Sequence, residues 1–242
     1  MRAEQISFSD GFAQRFASFE EQRYSRGATR IAGLDEAGRG PLAGAVLAAA
    51  VVFPQGYRNP DIKDSKLLSA GQRERLVEII KGEAVAWGLG RVDVEEIDRI
   101  NIFEASLLAM VKAYQALHPR PDCLLIDGDQ KIPAALFHSE GIALETVPQQ
   151  AAVIKGDRLC LSISAASILA KVARDELMTE LDAKFPQYGF ANHKGYGCAA
   201  HLEALRRFGP SPAHRRSFGP VRDLIHRLIE PQFDLAFPKG RL

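Results

Sequence analysis

The chain has 242 residues, of which 46% are hydrophobic, 25% charged and 8% aromatic, values that exclude a disordered or fibrous protein and allow one large domain with a buried core. Its 31 basic and 30 acidic residues leave a net charge of +1, so a nucleic-acid partner cannot be read from the total and would need a local basic surface. The cysteines, Cys123, Cys160 and Cys198, are far apart with no C-x-x-C pair, which excludes a zinc ribbon or disulfide framework and fits a reducing cytoplasm.

Phe8, Phe12, Phe16 and Phe19 recur at helical spacing between polar residues, which predicts an amphipathic N-terminal helix packed on the domain body. No secretory signal is expected there, since acidic and basic residues interrupt the N-terminal stretch throughout. After a connector at Arg26–Ala28, IAGLDEA and AVLAAAVVF read as two strands separated by the turn GRGPLAG. The longest apolar run, Leu42 to Phe53, falls short of the roughly 20 residues that span a bilayer, so a soluble, cytoplasmic protein is expected. A helix is predicted from Ser69 or Gly71 to Lys81, a third strand at 87–92, and a long helix capped by Asn101 and Glu104 that ends before His118-Pro119. Cys123 to Ile126 reads as a buried strand and Ala143 to Val147 as a fifth, stopping at Pro148. Helices over Ser164–Lys184 and Ala199–Phe208 follow, with a tail beyond Ile229. The pattern predicts an α/β fold, a mixed sheet with helices on its faces.

Asp35 and Glu36 end one apolar strand and Asp127 ends another. Carboxylates are seldom set against a core without a partner. A divalent cation is one such partner, and hard oxygen ligands suit Mg²⁺ or Mn²⁺; a helix or turn cap is the other reading, equally open for Asp127. Strand alternation puts Asp35 and Glu36 on opposite faces, so a shared site predicts a distorted strand near Gly38. The glycine-rich string itself fails as a P-loop, because Arg39 and Gly40 stand where Lys and Ser or Thr are required.

GLDEAGRGPLAG resembles the signature of bacterial ribonuclease HII, the type 2 ribonucleases H. The resemblance continues in order through DSKLLS (64–69), LLIDGD (124–129), IKGD (154–157), SISAASILAKVARD (162–175), FPQYGFANHKGYG (185–197) and HRRSFGPV (214–221). It implies a ribonuclease H-like catalytic domain over 30–222: a five-stranded mixed sheet flanked by helices, with a helical C-terminal part. Residues 1–29 would be a helical extension and 223–242 a tail. It also implies four acidic metal ligands at Asp35, Glu36, Asp127 and Asp157, although Gly156-Asp157 alone reads as a turn. Junctions between RNA and DNA would be read by Gly38, Arg39, Gly40 and Tyr196, the last of which reads as a packing residue by itself. Glycines let backbone groups approach a ribose 2′-OH, and a tyrosine can stack on the neighbouring sugar. Ser65 and Lys66 match a phosphate-contacting loop; many relatives carry a second Lys where this chain has Leu67.

Between His193 and Arg222 stand Lys194, Arg206, Arg207, Arg215, Arg216 and Arg222 against the single acid Glu203. That run supplies a candidate local basic surface, with Arg215 and Arg216 as phosphate contacts. The resemblance therefore implies an endoribonuclease acting by two-metal-ion catalysis on RNA–DNA hybrids and on duplex DNA containing ribonucleotides. It would cut 5′ to the ribonucleotide and leave 3′-hydroxyl and 5′-phosphate ends. The chain is expected to work as a monomer without a membrane. A type 1 ribonuclease H or a junction resolvase would lack the paired GRG and GY motifs, and an inactivated hybrid-binding relative would lack the acidic quartet.

Overall fold

The computed structural model of the protein describes residues 16–229; Phe8, Phe12 and the chain beyond Ile229 lie outside them. Strands β1 (Ile31–Ala37), β2 (Val46–Val52), β3 (Ala86–Val92), β4 (Cys123–Asp127) and β5 (Gln149–Val153) form one sheet in the order β3-β2-β1-β4-β5. β2 pairs antiparallel with β1 and β3, whereas β4 pairs parallel with β1 and β5. The sheet is mixed, five-stranded and covered by helices, as expected.

β2 is buried along its whole length because a helix covers each face. Its Val46, Ala48, Ala50 and Val52 pack with Ala105, Ala109 and Ala113 of α4 (Ile102–Gln115). The alternate residues Ala49 and Val51 pack with Ala165, Ile168 and Leu169 of α6 (Leu161–Lys184). This is the period of two dividing one strand between two cores. Where β1 passes under the first turn of α6, Gly33 leaves so little room that a Cβ would lie 2.2 Å from the Ile163 nitrogen. That close approach sets the height of α6 over the strand end.

Asn101 caps α4 by accepting from the Phe103 and Glu104 amides; the reciprocal capping box forms instead at Ser69 and Gln72, opening α2 (Ala70–Glu83). The fifth strand is not where the apolar pattern placed it. Ala143–Val147 contains a 3-10 turn over Leu144–Thr146, and β5 begins after Pro148. Proline has no N–H for a ladder and fits the start of an edge strand. Gln149 and Gln150 disguised that strand, although Gln150 bonds the Ile132 amide and carbonyl through its side chain. Among the helices that were not read in the sequence are α3 (Val94–Ile100) and α5 (Ala134–Ser139).

At the start of the described residues, α1 (Phe16–Ser25) packs Phe19 and Tyr24 against Ile31, Cys123 and Leu125. At the other end α7 (Phe190–His193), α8 (Ala199–Phe208) and α9 (Gly219–Ile229) build a helical lobe, with α9 running across the 222/223 boundary. The lobe's core joins Tyr188, Phe190, Leu205 and Val221 to Leu42, Ala43 and Met178. It is thereby seated on the segment between β1 and β2. No helix among the described residues is long and apolar enough to cross a membrane.

Candidate active site

β1 and β4 run parallel and their pairing ends at Leu34 and Ile126. Their next residues, Asp35 and Asp127, therefore face a cleft beyond the carboxyl ends of the central strands, the usual ligand position in sheets containing parallel strands. The expected distortion of β1 is absent: its register with β2 runs unbroken to Ala37↔Leu47. Asp35 and Glu36 keep opposite faces, and both nevertheless border the same cleft of about 350 Å³, because they stand at a strand end where the sheet opens.

Asp35 is 7% exposed, and among the described residues it has no basic side chain within ion-pairing distance. Burial, then the charges of Glu36 and Asp127, hold its carboxyl well above the usual range, against hydrogen bonds from Ser167 and the Glu36 amide. Burial also raises Glu36, partly offset by Arg39, whose Nη1 lies 3.3 Å from its Oε1. Asp127 is raised by burial and then by Asp157. Asp157 is buried in a 3-10 turn after β5; its Oδ2 accepts from Lys66 Nζ at 3.1 Å and its amide points at Asp127 Oδ1. Carboxyls raised in three neighbours, first by burial and then by like charge, mean that the cluster is costly to ionise and repels itself once ionised.

Among the described residues no three Asp, Glu, His or Cys side chains stand ready to hold one ion; Glu36 is paired with Arg39 and Asp157 with Lys66. The chemistry of the donors still fits a divalent cation. All are hard carboxylate oxygens, and mutual repulsion at Asp35 and Asp127 is the energy that a cation would relieve.

The turn after β1 explains its glycines. Gly38 has φ +103°, and a Cβ there would lie 2.1 Å from Arg174 Nε. Arg215 fixes the turn from behind, donating to the carbonyls of Gly38 (2.6 Å), Arg39 (3.0 Å) and Gly44 (2.9 Å). A Cβ on Gly40 would touch the ring of Tyr196 at 3.4 Å, so the two motifs meet in space, with Tyr196 half exposed. Ser65 is buried, with its hydroxyl 3.0 Å from that of Ser167, while Lys66 reaches out to Asp157.

Asp35, Glu36, Gly38, Arg39, Gly40, Ser65, Lys66, Asp127 and Tyr196 all line the cleft, and Asp157 adjoins it. Arg215 and Arg216 do not line it. Arg215 is fully buried with its nitrogens on backbone carbonyls, a place from which it supports the turn instead of meeting phosphates. Arg216 is exposed on the lobe, where its amide bonds Asp98. Unread in the sequence were Ser167, Lys171 and Arg174, which line the cleft from α6, and Arg73 from α2. Their signal is the helical spacing of polar residues along an otherwise apolar helix. Asp175 is half-buried and paired with Lys171 at 2.6 Å, and Arg174 takes no part in that pair, bonding the carbonyls of Lys194 and Ala43 instead.

Known proteins share the sequence and the fold of this chain. A sequence model of the family described as Ribonuclease HII matches residues 32–221. The ribonuclease HII of Syntrophobacter fumaroxidans is 52% identical over 213 residues, 88% of this chain and 86% of that one. The crystal structure of ribonuclease H2 from Pyrococcus horikoshii OT3 superposes with a TM-score of 0.69 at 28% identity, covering 82% of this chain and 98% of that one. The fold is shared also by Bst-RNase HIII, solved in complex with Mn²⁺, with a TM-score of 0.62 at 18% identity over 93% of this chain and 76% of that one. A match that takes in the sheet, the turn and the helical lobe together leaves one assignment: the chain belongs to the ribonuclease HII family, nucleases that cleave RNA in RNA–DNA hybrids.

Proposed function

We propose that this chain hydrolyses the RNA strand of hybrids and also incises duplex DNA on the 5′ side of an embedded ribonucleotide, leaving 3′-hydroxyl and 5′-phosphate ends. The observation that carries the reading is the meeting of a self-repelling carboxylate cluster with a backbone turn and an exposed tyrosine on one cleft. Asp35, Glu36, Asp127 and Asp157 would hold two divalent cations, Mg²⁺ or Mn²⁺; Mn²⁺ bound to the distant relative Bst-RNase HIII agrees with that choice. The chemistry such ions supply is activation of a water and stabilisation of the leaving 3′-oxygen.

The remaining work falls to the chain's own groups. With the Gly38 and Arg39 carbonyls engaged by Arg215, the outer side of the turn offers Gly40 and the backbone amides to a ribose 2′-OH. Tyr196 stacks beside it on the neighbouring deoxyribose. Lys66, exposed along most of its length, exchanges Asp157 for a substrate phosphate. The exposed Leu67 beside it adds no second charge. Three free cysteines, two of them buried, support a reducing cytoplasm, and the reading takes the chain to act as a monomer.

The test uses one duplex in four versions: a single ribonucleotide, a run of them, a 2′-O-methyl residue and all DNA. Cleavage at the ribonucleotides alone is expected, because a site built to bond a hydroxyl rejects the analogue lacking it. Cleavage of the all-DNA duplex at an equal rate would refute the proposed discrimination.

A further inference from the structure

Three histidines that the hydrolysis does not use gather in the helical lobe behind Tyr196. His201 and His214 are 0% and 1% exposed, with their Nε2 atoms 3.0 Å apart. The surrounding backbone fixes where their protons sit. The Ser211 amide donates to His214 Nδ1 at 2.9 Å, and the Ser211 hydroxyl, which accepts from the Ala213 amide, lies 2.8 Å from the same nitrogen. Nδ1 is therefore the acceptor, and the neutral ring carries its proton on Nε2. That proton points at His201 Nε2, which must accept it. His201 is then protonated on Nδ1, 3.0 Å from the carbonyl oxygen of Tyr196.

His193 follows the same logic. It stacks on His201 with centroids 4.5 Å apart, accepts from the Gly195 amide on Nδ1, and donates from Nε2 to the Tyr188 carbonyl. The Gly195 amide and the Tyr196 carbonyl are thus both held by imidazoles. The segment they hold is one that bends sharply, with Lys194 at φ +51° and Gly195 at φ +81°. Apolar residues would satisfy packing alone; a directional chain ending on one carbonyl does more.

We propose that His201 and His214 are positioning residues for Tyr196, a relay of neutral imidazoles that carries the order of the lobe to the turn presenting the tyrosine against Gly40. The proposal rests on the reading of Tyr196 as a substrate contact. It needs both rings neutral, since an added proton would set two N–H groups against each other. Burial and the neighbouring His201 pull His214 down to about 4, which keeps it neutral.

Two nearly isosteric variants separate the ends of the relay. His201→Asn keeps a donor at the Nδ1 position for the Tyr196 carbonyl and loses His214, whereas His201→Gln keeps an acceptor for His214 and loses Tyr196. Amide hydrogen exchange at Tyr196 and Cys198, and kcat/KM on a duplex with one ribonucleotide, are measured for both, with and without Tyr196→Ala. His201→Gln is expected to speed exchange and lower kcat/KM by roughly tenfold, near the upper range for one hydrogen bond. His201→Asn, cut off from His214 but still bonded to Tyr196, should show a smaller change in the same direction, a wild-type value there removing His214 from the relay, and Tyr196→Ala should absorb the Gln effect. The reverse order of Asn and Gln, unchanged exchange in His201→Gln, or full additivity with Tyr196→Ala would each overturn the relay. Normal cleavage by Tyr196→Ala alongside faster exchange in His201→Gln would support the positioning and refute the substrate reading of Tyr196.

Discussion

Asp127 stands where β4 runs out into the cleft, half-buried and already burdened by the charge of Asp157. Asp127→Asn keeps the volume and removes one charge from a cluster that repels itself. Cleavage should fall by about 10³-fold, roughly 4 kcal/mol of transition-state stabilisation, while metal-free thermal stability stays level or rises. Near-normal turnover in saturating Mg²⁺ would remove Asp127 from the ligand set. Arg215 calls for a different experiment from Arg216. Arg215→Ala leaves three backbone carbonyls without their donor, so denaturant unfolding should show a loss of several times the ~1 kcal/mol of one hydrogen bond. Arg216→Ala should leave stability unchanged and lower the log–log salt slope of binding by at most about one counterion unit. Equal stability losses in the two variants would contradict the buried role of Arg215.

At the scale of elements, α6 connects most of the site. Its first turn lies on Gly33, its preceding turn carries Asp157, and Ser167, Lys171 and Arg174 follow along its length. The N-terminal helix reaches this element directly: Glu20 Oε1 accepts from both the amide and hydroxyl of Ser162, capping α6 from another segment. Glu20→Ala should cost about 1 kcal/mol, the usual loss for a cap, and Glu20→Gln should recover most of it. Identical melting of the two variants would exclude the capping role. Long periodic elements were legible in the chain, as α2, α4 and α6 demonstrate, because an apolar stripe is a local pattern. β5 was not, since its stability comes from pairing with β4 and from Gln150, features that leave no alternating apolar signature.

Across the whole molecule, two sets of groups respond to pH in opposite directions. Asp35, Glu36, Asp127 and Glu20 are raised by burial, so ionising them opposes folding and their penalty is relieved as pH falls. His214 is lowered from 6.5 to about 4. Its contribution is fully present above pH 6.5 and is lost as the pH falls through 4, because the unfolded chain takes up the proton first. Between pH 7 and pH 5 that loss is roughly 2 kcal/mol. Denaturant unfolding of wild type and His214→Gln at both pH values isolates it: the variant should lack this increment, and an equal pH dependence would show that His214 is not held neutral. Divalent cations provide the complementary measurement at pH 7. Mg²⁺ or Mn²⁺ should raise Tm by binding only the folded cluster, and the shift should shrink in Asp127→Asn; no shift in wild type would argue against a metal site.

The sequence by itself determined the elements with strong periods, the mixed α/β class, and the acidic, glycine-rich and tyrosine motifs whose order carries the family resemblance. Those are properties of neighbouring residues and of motif chemistry, and both are written along the chain. Only the tertiary structure decided how Asp35 and Glu36 share a cleft without a distorted strand, because that depends on where β1 stops pairing with β4. It also turned Arg215 inward. A run of basic residues looks alike whether solvated or buried, and the distinction comes from three carbonyls about 171 to 177 positions away. The same holds for His201 and His214: their protons are placed by backbone groups brought together by the fold, for reasons of hydrogen-bond geometry that no local pattern contains.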